Sequence, residues 1–280
     1  MKDFIKSVLP PILLNKLSLV KAILRNIKNS KSIDIKHNDR LKESHLKERC
    51  FVIGTGPSIK NQDLKLLKDE VVIGVSGLFQ HSEIDIINPK YYVLPPVFEG
   101  HGKLFDEQNF ITWFKNMDTS LKDTTIMIMH IGDKKYIDKY QLFKNKEIIW
   151  KNYLPWSIDI NINKIELLSM PGIWSVSESA IQSALYLGFK EIYILGFDHT
   201  WFDDIWDHFT DNYLKDFNEK KLKDCKEWVD SEHEMTRHAK IFNKYKKLYA
   251  LKKNIYNANA NQNSYVDTFP KVKYEDLFKK

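Results

Sequence analysis

Cysteine is scarce: only Cys50 and Cys225 occur in 280 residues. Neither a disulfide framework nor a thiolate metal cluster can be built from two thiols, and a reducing compartment fits a chain that places Cys50 in an expected core strand. No apolar run approaches the roughly 18–20 residues needed to cross a bilayer. No stretch pairs an apolar segment with a small-residue cleavage site, so a cytoplasmic location is expected. Internal repeats are lacking. His199, His208, His233 and His238 show no H-x-x-x-H or H-E-x-x-H spacing, and no D-x-D pair follows an expected strand. Metal-independent chemistry is therefore expected, with Asp203, Asp204 and Asp207 read as a solvated or helix-starting acidic face.

What is present is an uneven charge. Residues 1–48 carry 11 Lys and Arg against 5 Asp and Glu, which accounts for the whole net charge of +6. The remaining residues are neutral in sum. Within the basic arm Leu13, Leu17, Val20, Leu24 and Ile27 recur at helical spacing, while Lys16, Lys21, Arg25 and Lys28 fall largely elsewhere on the wheel. This pattern fits an interfacial helix on an anionic inner leaflet, through residues 1–30, and equally a helix packed on the protein's own core. A nucleic-acid arm is not expected, because no base-reading motif or aromatic platform accompanies the charge. Residues 31–47 read as a polar linker, giving an arm and linker over 1–47 and a folded body over 48–280.

From residue 48 short apolar strands alternate with helical stretches, which predicts an α/β fold: a Rossmann-like, mainly parallel sheet with flanking helices. Expected strands are Cys50–Gly54, Val71–Val75, Tyr91–Leu94, Thr125–Ile131, Glu191–Leu195 and Asn254–Asn257. The aromatic stretch 100–163, with Trp113, Trp150 and Trp156, reads as a lid or insertion. The first strand runs into Gly54-Thr55-Gly56-Pro57-Ser58. Glycines there permit positive φ and close approach of backbone N–H groups to a phosphate, Pro57 fixes φ, and Ser58 offers a hydroxyl or a helix cap. The run lacks the third glycine of the dinucleotide fingerprint and the Gly-Lys-Ser/Thr of an ATP loop, and a plain tight turn explains it equally well.

A second cluster begins at Pro171-Gly172. Ser175 and Glu178 form a capping box, Val176, Ala180, Ala184 and Leu187 the buried stripe, and Gly188 the stop. Ser175 and Ser177 crowd a helix start able to hold an anion, although capping alone needs only Ser175. The following strand ends at Gly196-Phe197-Asp198-His199-Thr200, where ligands of open α/β sheets bind. Asp198 and His199, as neighbours, would point to opposite sides, and a structural bond from Asp198 to loop amides is as good a reading as a catalytic one. Ser231 and Glu234 open another helix, with stripe Met235, Phe242, Tyr245 and Tyr249. His238 lies on the stripe and reads as a core histidine. His233 lies off it and could accept a proton from a hydroxyl nucleophile.

These segments resemble the bacterial sialyltransferases of glycosyltransferase family 42 and the related DUF115 proteins of polysaccharide loci. The likeness rests on Gly54 to Ser58, on Ser175 to Asp198 with Leu187-Gly188-Phe189-Lys190-Glu191-Ile192-Tyr193 at its centre, on the helix after His233, and on Ile255 to Pro270. It implies a Rossmann-like variant of the GT-A type and a nucleotide-sugar donor, a CMP-sugar in the first place. That donor would be bound around Gly54–Ser58, Ser76, Gly77, Ser175, Ser177, Gly196 and Thr200. The resemblance further implies a histidine base, His233 with His238 in play; no metal or other cofactor is expected. Val75-Ser76-Gly77 replaces the family's phosphate-contacting asparagine, and Thr200 stands near the place of one of its tyrosines, which leaves other nucleotide sugars open. The expected acceptor is a hydroxyl of a lipopolysaccharide, lipooligosaccharide or capsule glycan, with an oligomer open. Alternatives are a DUF115 pterin diphosphokinase using ATP and Mg²⁺, or a non-catalytic glycan-assembly scaffold.

Overall fold

The computed structural model describes residues 35–97, 107–154, 165–199, 231–260, 264 and 266–279, together with Leu13, Lys16, Leu17, Val20, Lys21, Leu24, Lys28 and Lys31. Seven strands form one sheet: β1 Arg49–Ile53, β2 Val71–Val75, β3 Tyr91–Val93, β4 Ile126–His130, β5 Ile148–Lys151, β6 Glu191–Leu195 and β7 Ile255–Asn257. Every pairing is parallel, in the order β5-β4-β3-β2-β1-β6-β7. The helices are α1 Ile35–Asp39, α2 Ile84–Ile87, α3 Glu107–Ser120, α4 Lys134–Tyr140, α5 Val176–Leu187 and α6 Ser231–Leu251.

A central parallel strand is covered on both sides, so its residues are apolar throughout and alternate between two cores. In β1, Cys50 and Val52 join the core that holds Ala180, Ile181 and Ala184 of α5 and Ile241, Tyr245 and Leu248 of α6. Phe51 and Ile53 face the other core, with Phe114 and Met117 of α3, Ile137 of α4 and Tyr274. Helices therefore cover both faces, in the Rossmann-like manner expected from the alternating pattern. Of α6's expected stripe, Tyr245 is fully buried and Phe242 and Tyr249 pack against the core, whereas Met235 is 61% exposed because the buried arc runs through His238, Ile241, Tyr245 and Leu248.

Two boundaries differ from the sequence expectation. The stretch 100–163 supplies α3, β4, α4 and β5, so its described part is sheet and helix of the fold itself rather than a lid. Trp150 is buried in β5 and Trp113 packs in the core, while Trp156 lies outside the described residues. The expected linker is likewise part of the packing from residue 35 onward. Asn38 Nδ2 donates to Trp150 O at 2.6 Å and its Oδ1 accepts from Trp150 N at 3.2 Å, closing the free edge of β5. Glu43 N and His45 N donate to Tyr186 O and Leu187 O, and the His45 ring stacks on Phe189 with centroids 4.4 Å apart. These contacts continue the C-cap of α5, where Gly188 takes the left-handed conformation expected of it.

Candidate active site

The strand order reverses direction at β1, whose neighbours β2 and β6 lead to opposite ends of the sheet. The crevice beyond the carboxyl ends of β1 and β6 is the place where such sheets bind ligands. The two loops there are joined directly. Gly54 N donates to Leu195 O and Gly56 N to Gly196 O, both at 2.8 Å, and Ser58 N donates to Asp198 Oδ2 at 2.9 Å. A Cβ on Gly54 would sit 2.4 Å from Gly196 O, and one on Gly56 would sit 2.3 Å from Asp198 Oδ2. Glycine is thus required by the close approach of the two loops, and positive φ belongs to Gly196 at +66° rather than to Gly54 or Gly56. The amides of Gly54, Gly56 and Ser58 are engaged within the protein, so the loop's structure serves first to hold Asp198.

Asp198 has one oxygen on the Ser58 amide, while its buried Oδ1 has no hydrogen-bond partner among the described residues. Burial pushes its pKa upward, and Ser58 pulls in the other direction. His199 follows with φ of +51°, a left-handed conformation uncommon for a residue with a Cβ. Ser76, at the carboxyl end of β2, is likewise left-handed at φ +47°, its carbonyl accepting from Tyr92 OH at 2.9 Å. Strained residues at the ends of the strands on either side of β1 are a recurrent mark of functional loops.

The His199 ring is oriented by a chain of hydroxyls. Nε2 lies 2.9 Å from Tyr245 OH, Tyr245 OH donates to Ser177 Oγ at 2.5 Å, and Ser177 Oγ donates to Ser175 Oγ at 2.9 Å. A phenol has one proton, and Tyr245 gives it to Ser177. It therefore accepts from His199, which places the imidazole proton on Nε2 and the lone pair on Nδ1. That nitrogen is buried and has no partner among the described residues. Burial, then His238 and Arg237, lowers the His199 pKa to about 3 and keeps the ring neutral. His238 meets it edge to face, with centroids 5.7 Å apart.

The first turn of α5 forms the adjoining wall. The expected capping box is present: Ser175 Oγ accepts from Ser177 N, while Glu178 Oε2 accepts from Trp174 N at 2.6 Å and Ser175 N at 2.7 Å. Burial raises the Glu178 pKa to about 7, against the pull of those two amides. Ser179 Oγ accepts from Lys151 Nζ at 2.6 Å and lies 2.5 Å from Tyr153 OH. Lys151 is wholly buried at the end of β5, and desolvation holds its pKa well below the usual range. Ser177 and Ser179, which capping alone would leave idle, thus bind Tyr245 on one side and Lys151 with Tyr153 on the other.

The structure brings Gly54, Gly56, Ser58, Gly196, Asp198, His199, Ser175, Ser177 and His238 to this crevice. Thr55 and Pro57 are half-buried in the same loop, and Ser76 and Gly77 follow β2 next to it. Thr200 lies outside the described residues, as does the side chain of His233, whose backbone belongs to α6. The reading of His238 as a buried histidine on the α6 stripe agrees with its 2% exposure. Sequence reasoning missed Tyr245 as a site residue because its spacing marked it as core. It also gave Asn259 no role, although its side chain holds Phe197 through both N and O, at 3.3 and 3.0 Å, and so sets the loop that carries Asp198.

A family model described as 6-hydroxymethylpterin diphosphokinase MptE-like matches residues 21–204, a span that runs from the basic arm through β6 and His199. The chain belongs to the MptE-like family. Tyr245, His238 and Asn259 of this MptE-like chain lie beyond the matched span. No curated protein matches the sequence. Among solved structures, the chain is similar to the sialyltransferase CstII from Campylobacter jejuni, in complex with a substrate analogue, cytidine-5'-monophosphate. Identity is 17%, covering 82% of this chain and 86% of that one, with a TM-score of 0.48.

Proposed function

We propose that this MptE-like chain transfers a sugar from a nucleotide-activated donor, a CMP-sugar in the first place, to a hydroxyl of a bacterial surface glycan such as lipopolysaccharide, lipooligosaccharide or capsule. The observation that carries the reading is His199: a neutral imidazole in the β1/β6 crevice, its proton placed on Nε2 by Tyr245 and its Nδ1 lone pair without a partner among the described residues. In the reaction Nδ1 takes the acceptor's hydroxyl proton as the oxygen bonds to the anomeric carbon. The bond from that carbon to the donor phosphate breaks, and the nucleotide leaves with the electron pair. Asp198 Oδ1 accepts a hydroxyl of the bound donor, and Ser76 and the α5 start line the phosphate end. A phosphate next to the ring raises the depressed His199 pKa by charge attraction, so donor binding itself makes the base competent. The nucleotide sugar is a substrate, and the scheme asks for no resident cofactor.

The test is donor turnover by His199→Gln, which keeps a polar side chain of similar reach. A loss of about 10²–10⁴-fold is expected in a variant that remains folded by circular dichroism, and near-normal turnover overturns His199 as base. Tyr245→Phe adds a structural readout. Imidazole ¹⁵N shifts should report proton exchange between Nε2 and Nδ1 in that variant and a fixed Nε2–H in the parent.

The family description favours a second reading, in which the same base takes the proton of a pterin's hydroxymethyl group, its oxygen bonds to the β-phosphorus of Mg²⁺-bound ATP, and AMP leaves as the α–β bridge breaks. In it the nucleotide requirement changes from a metal-free cytidine monophosphate to a metal-bound adenosine triphosphate.

A further inference from the structure

The basic arm presents an apolar stripe that the fold does not cover. Leu13, Leu17, Val20 and Leu24 are helical and 46%, 47%, 52% and 61% exposed. With a turn of about 100° per residue, these four fall within an arc of roughly 60°. Lys16 stands roughly 70° to one side of its centre and Lys21 and Lys28 roughly 50–70° to the other, and all three are helical and exposed. The reading of this helix as packed on the protein's own core is therefore not met at its described positions.

We propose that this face docks on an anionic lipid bilayer surface, lying in the plane of the interface. Charge complementarity selects that occupant: the net +6 of the whole chain resides in residues 1–48, and lysines border the apolar stripe on both sides. In that arrangement the leucines enter the acyl boundary while the lysine stems lie along the apolar face and lift their ammonium groups to the phosphates. No described helix is long and apolar enough to cross a membrane, so the contact is one of lying on the surface. The inference stands independently of the transfer reaction proposed above.

The experiment is flotation of the full chain with vesicles of phosphatidylcholine alone and of phosphatidylcholine with an equal part of phosphatidylglycerol. The wild type should float with the anionic vesicles only, and less as salt rises. Leu17→Ser combined with Leu24→Ser should lower the bound fraction about tenfold or more, and Lys16→Gln with Lys21→Gln and Lys28→Gln should remove the lipid preference. An unchanged melting temperature shows that these exposed substitutions leave the body folded. Equal flotation of wild type and both variants, or no flotation of the wild type, overturns the proposal. So does a wild-type dimer in size-exclusion chromatography that the leucine variant dissolves, since the stripe would then meet a second copy of the chain.

Discussion

At His199 two costs meet, a left-handed backbone and a desolvated ring, beside one nitrogen, Nδ1, that has no hydrogen-bond partner among the described residues. The pKa shift carries a sign that can be measured. His199 drops from 6.5 to about 3 in the fold, so the unfolded chain binds the extra proton between those values. The associated stability is complete above pH 6.5 and is lost as pH falls toward 3. Relative to His199→Asn, wild-type stability measured by denaturant titration should therefore decline by roughly 1.4 kcal/mol per pH unit across that window. A difference independent of pH would show that the ring is solvated. Glu178 has the opposite sense: raised from 4.5 to about 7, its neutral form is the one the fold favours, and its contribution fades as pH rises through 7. Glu178→Gln should accordingly gain on the wild type between pH 4.5 and 7, the reverse of the His199 trend. Position 199 was legible in the sequence because it follows a strand end. Its partner Tyr245 was not, since a tyrosine at core spacing looks the same whether its hydroxyl is idle or directs a histidine.

At the scale of elements, the β1 and β6 loops behave as one unit clasped through Gly54, Gly56 and Asp198. Gly56→Ala would push a methyl against Asp198 Oδ2 and against Gly196 O at 2.7 Å. The expected cost is about 1–3 kcal/mol, together with loss of nucleotide binding, and an alanine variant with wild-type stability and binding would mean the clasp is loose. Ser175→Ala removes both the α5 cap and the end of the hydroxyl chain, with an expected loss of about 1 kcal/mol by thermal denaturation. Both loops and the capped helix could be read from sequence, because Gly-x-Gly after an apolar strand and Ser-x-x-Glu before an apolar stripe are local signals. What the local signal could not give was the reason for the glycines, which lies in the loop after β6 some 140 positions away, the separation of Ser58 and Asp198. β5 escaped notice for a related reason: Ile148-Ile149-Trp150 is short and sits among scattered aromatics, and only its pairing with β4 makes it a strand.

For the whole molecule, the seven-stranded parallel sheet was foreshadowed by alternating apolar segments, while the strand order, and with it the crevice between β1 and β6, required the structure. The body carries no net charge and holds its ionisable site groups buried, whereas the arm concentrates the positive charge. If the arm docks on lipid and the body binds the nucleotide, as proposed above, loss of lipid binding should leave nucleotide binding intact. The central claim, a nucleotide sugar as donor, is tested most directly by the melting temperature of the full chain with CMP in the presence of a chelator, against ATP with and without Mg²⁺. A ligand at about 100 times its Kd adds about 2.7 kcal/mol, a shift of several degrees for a chain of this size. A nucleotide-sugar donor of the CMP type predicts that shift with CMP and no metal. A shift with ATP that appears only when Mg²⁺ is added, and none with CMP, would contradict it.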